Sequence, residues 1–312
     1  MDTIPTELLR YILLRCGEYA PILKEVCYEW NEILSDTRID KILSFEQMAE
    51  RGHIDLLEYV ERDKINDKKI SHILRYAAKG GHLNIMILVK KWGATNYDEA
   101  LEYAAMNGHT SAMHSLKEWG ITRYNLSLAI AAKYGQIPAM HLLKEWGAND
   151  YYWALEYAAE NGQIAAMHLL KDWGANNKYY WALTRAAKSG QLSAMRLLKE
   201  WGVDYYDFAL QGAAESGQIP AMRLLKEWGA TQYEWALVGA AESGQIEAMH
   251  LAKEWGATQY EWALICASEA GKIEAMHLAK EWGDFETGRI SDTSLAKKWG
   301  LINMTGHWLV LP

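Results

Sequence analysis

Cysteine is scarce in this sequence: Cys16, Cys27 and Cys266 are its only three among 312 residues. They show no CxxC spacing, and a secreted framework of this length would carry more of them in pairs, so a reducing interior compartment is expected. Positive charge is also short. Lys and Arg total 32 against 40 Asp and Glu, a net charge of -8 at pH 7, whereas a grip on phosphate backbone needs clustered positive charge. Nucleic acid is therefore not expected as a partner. No stretch approaches the roughly 18 uncharged apolar residues of a membrane span, and Met1 to Arg10 lacks the basic start and apolar run of an export signal. These absences predict a soluble, cytoplasmic, monomeric chain with no membrane partner. A phosphate loop, a nucleophile elbow and metal-ligand spacing are missing too, so neither a cofactor nor catalysis is expected.

What the sequence does have is apolar residues, 50% of the chain, enough for a continuous core, and a repeat. Trp-Gly pairs begin at Trp92, Trp119, Trp146, Trp173, Trp201, Trp228, Trp255 and Trp282, spaced by 27 residues with one interval of 28. A Gly at positions 81, 108, 135, 162, 190, 217, 244 and 271 always sits 11 residues before its Trp. In one unit, Ala154 to Glu160 consists mostly of good helix formers and stops at Asn161-Gly162, where Gly supplies the left-handed conformation that ends a helix. After the turn, Ile164, Ala166, Met167 and Leu170 recur at helical spacing, with Ala165, His168, Lys171 and Asp172 on the other side. Each unit is thus a helix A and a helix B, closed by Gly174 in this copy. Helices of fewer than ~12 residues are marginal alone in water, so units must stack. Alanine pairs, such as Ala158-Ala159 and Ala186-Ala187, let neighbouring backbones approach. The expected fold is all-α, a helical-repeat solenoid stabilised by nearest-neighbour interfaces.

The unit resembles an ankyrin repeat: Ala154-Leu155-Glu156-Tyr157-Ala158-Ala159, Asn161-Gly162-Gln163-Ile164 and Leu169 to Ala175 align without gaps with that family's two-helix core. It departs where Trp153-Ala154 replaces Thr-Pro and where the link from Gly174 to Trp181 is too short for the family's β-hairpin. The Trp ending helix B and the Tyr five residues later (Tyr97, Tyr124, Tyr151, Tyr206, Tyr233, Tyr260) are expected to fill the vacated space. An array of about nine units over 41–285 follows, the first degenerate and marked by Gly52-His53-Ile54, with a C-terminal cap over 286–312.

Residues 1–40 carry another pattern, Ile4-Pro5-Thr6-Glu7-Leu8-Leu9, Tyr11-Ile12-Leu13, then Val26-Cys27 and Trp30. A Pro in a first turn followed by apolar residues at helical spacing predicts small amphipathic helices. The segment resembles an F-box, whose pattern opens Leu-Pro-x-Glu-Leu-Leu and later has Val-Cys-x-x-Trp; Ile4 replaces the Leu. The resemblance implies that Ile4, Pro5, Leu8, Leu9, Ile12 and Leu13 meet Skp1 of a Cullin-RING ubiquitin ligase, with Val26 and Trp30 behind them. A plain cap on the solenoid remains the alternative. N-terminal F-boxes joined to ankyrin-like arrays are similar to proteins of large DNA viruses, which implies a host-cell cytoplasm.

Positions that differ between units are free to serve a target. The pair after the helix A Leu changes throughout, including Glu156-Tyr157, Thr184-Arg185, Gln211-Gly212, Val238-Gly239 and Ile265-Cys266. So does the start of helix A, through Tyr152-Trp153, Tyr180-Trp181, Asp207-Phe208, Glu234-Trp235 and Glu261-Trp262. By resemblance these line the concave side and, with Arg185, bind an unidentified protein target. Tyr and Trp often dominate interface energies, yet they also fill gaps between units, and both readings stay open at this point. The recurring His114, His141, His168, His250 and His277 lie too far apart to share a metal and are expected to form a solvated stripe. Lys-Glu pairs such as Lys144-Glu145 and Lys226-Glu227 recur along the array, unlike a catalytic constellation. The sequence predicts an adaptor that recruits a substrate to a Skp1-Cullin-F-box ligase, or else a ligase-independent scaffold or competitive inhibitor.

Overall fold

The computed structural model describes residues 45–54, 57, 65–175 and 179–283. The F-box-like segment 1–40 and the expected cap at 286–312 lie outside the described residues. Among the described residues there are seventeen helices and no strand. A short α1 (Phe45–Arg51) precedes eight helix pairs. The first three pairs are α2 (Asp67–Gly80) with α3 (Leu83–Lys91), α4 (Tyr97–Asn107) with α5 (Thr110–Glu118), and α6 (Asn125–Lys133) with α7 (Ile137–Glu145). Then come α8 (Tyr151–Glu160) with α9 (Ile164–Asp172), α10 (Tyr179–Lys188) with α11 (Leu192–Glu200), and α12 (Asp207–Glu215) with α13 (Ile219–Trp228). The last two are α14 (Tyr233–Ser243) with α15 (Ile246–Glu254) and α16 (Tyr260–Glu269) with α17 (Ile273–Gly283).

The α8–α9 pair shows how the local sequence makes the turn. The Asp150 side chain accepts a hydrogen bond from the Trp153 backbone N–H at 3.2 Å and so caps α8. Helix A therefore starts at Tyr151, three residues before the Ala154 at which the sequence pattern places it. The helix ends as Gly162 turns left-handed, φ +67°. The Gly162 and Gln163 amides then donate to the carbonyls of Ala159 and Ala158, at 3.2 and 2.9 Å, a Schellman closure. Helix B closes the same way: Gly174 adopts φ +109° and the Ala175 amide donates to Leu170 O at 3.0 Å. Ala175 and Leu170 are both fully buried, as the hydrophobic contact of that motif requires. The Trp-Gly-Ala signature is thus a helix terminator whose last residue belongs to the core.

The faces also follow the pattern. Ala154, Leu155, Ala158 and Ala159 are buried on helix A, and Ala166, Met167 and Leu170 on helix B. Ile164 is only half-buried, and Ala165, His168 and Asp172 are exposed. The same closure at Gly52, φ +85°, with the His53 amide on Met48 O at 2.9 Å, ends α1, so the degenerate first unit keeps the turn of its successors.

The chain groups into two compact units, Met1–Ala131 with Gln136–Asn149, and Ala132–Gly135 with Asp150–Pro312. In the first, α2 packs on α1, α3 and α4, and α4 on α5. In the second, the A helices α8, α10, α12, α14 and α16 pack in series, each also against its own B helix. Paired alanines make this possible. Ala186, Ala187, Ala213, Ala214, Ala240 and Ala241 are all fully buried, and with one-carbon side chains the A helices stack closely. The fold is the all-α helical repeat expected from the sequence.

Candidate functional site

The aromatic residues fall into two rows with different surroundings. The first row is the Trp that ends each helix B. Each is half-buried. In the first unit Tyr97 meets Trp119 with ring centroids 5.3 Å apart, and Tyr124 meets Trp146 at 5.7 Å. In the second unit Tyr151–Trp173, Tyr206–Trp228, Tyr233–Trp255 and Tyr260–Trp282 repeat the contact at 5.5–5.8 Å. Tyr179, displaced by the 28-residue interval, takes the same place against Trp201 at 5.3 Å. These rings cover one another instead of being solvated, as the sequence predicts.

The Trp also carries a cation from the preceding repeat, and Lys226 and Lys253 lie within 5.7 Å of the paired Tyr233 and Tyr260 rings as well. Lys90 lies over Trp119 at 4.4 Å, Lys117 over Trp146 at 4.8 Å, Lys199 over Trp228 at 4.7 Å, Lys226 over Trp255 at 4.6 Å and Lys253 over Trp282 at 4.3 Å. The repeated Lys of the Lys-Glu pair is thus a fastener between repeats. The histidine stripe is exposed, and three members add to the fastening: His114, His168 and His250 sit edge-on against Trp146, Trp201 and Trp282 at 5.4, 5.7 and 5.0 Å. Among the described residues no group of three or more His, Cys, Asp or Glu could hold a metal ion.

The second row lies near the start of helix A and belongs entirely to the second unit. Trp181, Phe208, Trp235 and Trp262 are exposed at 49%, 39%, 40% and 59%. Trp181 stacks on Phe208 at 6.4 Å and Phe208 meets Trp235 at 5.6 Å. Tyr152 is exposed, while Trp153 and Tyr180 are half-buried against Tyr157 at 5.6 Å and Trp181 at 5.1 Å. Phe208, Gln211, Trp235, Val238, Gln259 and Trp262 line an open cleft of about 330 Å³.

The acidic neighbours of these rings have a second role. Asp207 Oδ1 accepts from the backbone amides of Thr231 and Gln232 at 2.8 and 3.1 Å. Glu234 accepts from those of Thr258 and Gln259 at 3.0 and 2.9 Å. Both carboxylates tie helix A to the loop of the next repeat, in the register where Asn125 accepts from the Asn149 amide at 2.8 Å. Glu261, the counterpart in α16, is exposed. Tyr152 bridges the same gap through its hydroxyl to Gly174 O at 3.4 Å.

Arg185 is tied down as well, donating to Glu156 at 2.9 Å and Glu160 at 3.0 Å, with its guanidinium 5.1 Å from the Tyr157 ring centre. Burial works against its charge, but the bonds and attraction to the two glutamates outweigh it and raise its pKa. Farther along the same faces Gly212 and Gly239 are buried and leave room for the preceding helix. A Cβ on Gly239 would meet Glu215 Cγ at 2.9 Å, and one on Gly212 would meet Thr184 Cγ2 at 3.4 Å. Part of the variation at the second member of the pair is therefore repacking. The structure brings Trp181, Phe208, Trp235 and Trp262 together with Gln211 and Val238. Gln259 is the member of the cleft that the sequence reading misses, because it sits in a loop whose backbone is repeated almost unchanged from unit to unit.

No protein-family model matches the chain, and no curated protein matches it by sequence. Among solved structures the crystal structure of the human ASB11 ankyrin repeat domain is similar, at 24% identity over 57% of this chain and 96% of that one, with a TM-score of 0.41.

Proposed function

We propose that the chain is a non-enzymatic adaptor that holds a protein partner on the A-helix face of its second unit. The observation that carries this reading is the exposed row Trp181, Phe208, Trp235 and Trp262. The Trp rings from Trp119 to Trp282 that end helix B are half-buried against a Tyr, whereas exposed Tyr205 meets Phe208 at 5.5 Å and extends the open row. The four rings of that row leave 39–59% of their surface to solvent, and Phe208, Trp235 and Trp262 line a cleft. Contiguous exposed aromatic surface marks interaction sites, and Trp and Tyr are the residues that most often dominate binding energy. The full set of target-contacting residues is Tyr152, Trp153, Tyr180, Trp181, Arg185, Asp207, Phe208, Glu234, Trp235, Glu261 and Trp262. Within that set the exposed rings supply affinity, and Asp207, Glu234 and Arg185 chiefly fix the surface on which they stand.

The finer reading is that the partner is a substrate delivered to a Skp1-Cullin-F-box ubiquitin ligase in the cytoplasm of a host cell. It is supported by the resemblance of Ile4-Pro5-Thr6-Glu7-Leu8-Leu9 and Val26-Cys27-Trp30 to an F-box, residues outside the described part of the structure. A Skp1 pull-down with the whole chain and with residues 1–36 removed tests it. Capture that depends on 1–36 supports the ligase adaptor. Absence of capture with the whole chain leaves the ligase-independent scaffold.

A further inference from the structure

The chemistry of the partner can be read from charges around the cleft, given that the A-helix face is the docking surface just proposed. Helices α12, α14 and α16 contain no Lys, Arg or His but six carboxylates: Asp207, Glu215, Glu234, Glu242, Glu261 and Glu269. Two of these serve loop amides, as described. Glu215 is held by Gln211 at 2.9 Å and by Lys188 at 3.1 Å. Glu242 and Glu269 are exposed and make no ion pair or hydrogen bond among the described residues. Lys272, whose stem lies over Gly244, pairs with neither.

Their placement relative to the aromatics is fixed by helical spacing. Trp235, Val238 and Glu242 fall at i, i+3 and i+7, as do Trp262, Ile265 and Glu269, so each helix presents an aromatic, a middle residue and a carboxylate along one face. At 1.5 Å per residue the ring and the carboxylate lie about 10 Å apart along the axis. Between them Gly239 contributes no side chain, and Cys266 is half-buried. Its thiol pKa is raised by burial and then by Glu242 and Glu269, so both carboxylates lie within electrostatic reach of it.

The rings themselves have no cation over them among the described residues. Every Trp of the helix B row for which the contact is described has a Lys over it, whereas no Lys or Arg among the described residues lies over Trp181, Phe208, Trp235 or Trp262. An unoccupied aromatic face beside unpaired carboxylates is complementary to a long side chain that is apolar along its stem and positive at its tip.

We propose that this cleft receives an extended, arginine- or lysine-bearing segment of the partner protein, its stems lying on Phe208, Trp235 and Trp262 and its cations reaching toward Glu242 and Glu269. An acidic segment is repelled by the same carboxylates, and a neutral proline-rich one uses the rings but not the charges.

The test is selection of displayed random nonapeptides by the full chain, repeated with Trp235→Ala and with the double variant Glu242→Gln/Glu269→Gln. Fluorescence anisotropy then follows on the peptides recovered. The expected result is enrichment of Arg and Lys at alternate positions, with binding about tenfold weaker in either variant and weakened further by salt. Binding should be unchanged by Glu227→Gln/Glu254→Gln, which removes the same charge from the B helices. Enrichment of neutral or acidic peptides that still depends on Trp235 overturns the basic-segment proposal and leaves the docking surface standing. Enrichment indifferent to Trp235 overturns both. Thermal melts of each variant identify any that has lost its fold, and for such a variant Trp235→Phe replaces the alanine.

Discussion

Gly162 meets two demands at once. Its φ of +67° costs a residue with a Cβ about 1–2 kcal/mol, and a Cβ there would lie 2.5 Å from Gln191 Oε1 of the next repeat. Gly174 has only the first demand, since nothing lies within 4 Å of its would-be Cβ. Gly174→Ala should therefore cost about 1–2 kcal/mol in urea denaturation. Gly162→Ala should cost more, and the excess should vanish in the Gly162→Ala/Gln191→Ala double variant. That Gly162 ends a helix was legible in the sequence from its place after Asn161. Its contact with Gln191 was not, because the partner is 29 positions away and belongs to a neighbouring turn.

A second residue-scale consequence concerns Glu102. Its pKa is raised above 4.5, first by burial and then by Glu99 and Asp98. A carboxyl whose folded pKa is raised is penalised once ionised: stability falls as pH climbs through the unfolded value toward the folded one, and the loss persists above both. Glu102→Gln should raise the melting temperature at pH 7 and give no gain near about pH 3, where both states are protonated.

At the scale of the helix pair, the fastening between repeats is the Trp of helix B held by a Tyr and a Lys. Tyr206, Trp228 and Lys199 form one such set, and the Tyr206 hydroxyl also donates to Val203 O at 2.7 Å. A double-mutant cycle on Tyr206→Ala and Trp228→Ala should show a coupling of about 0.5–1.5 kcal/mol. Lys199→Ala should lose about 0.5–1 kcal/mol, with Lys199→Arg retaining most of it. Periodicity made the pairing of helices and their buried faces readable, and the unit length told that the Tyr and Trp must fill the place of a hairpin. The Lys was harder to read. On its own helix it looks like any solvated residue, and only the stacking distance sets its ammonium over a ring of the next unit. The start of helix A was also misplaced, since alignment on Trp153-Ala154 hides the cap that Asp150 supplies.

At the scale of the molecule, each repeat of the second unit leans on its neighbours through helix A and its alanines, so stability is a sum of interfaces. Removal of 207–233, one 27-residue period, joins Tyr206 to Glu234 and restores the Tyr-Glu-Trp register. The shortened chain should keep its helical circular dichroism and melt cooperatively at a lower temperature. Removal of 207–219 breaks the register and should abolish the cooperative melt. The two aromatic rows were indistinguishable as residue types. Only the fold reveals that one row is locked between repeats while the other stands along an open cleft, and this division underlies the adaptor reading.

Urea denaturation of Trp228→Ala beside Trp181→Ala measures that division without knowledge of the partner. Trp228, half-buried against Tyr206 and Lys199, should cost about 2 kcal/mol when truncated. Trp181, 49% exposed, should cost no more than about 0.5 kcal/mol. Equal losses, or a larger one at Trp181, would make the exposed row a structural element and contradict its assignment as a docking surface.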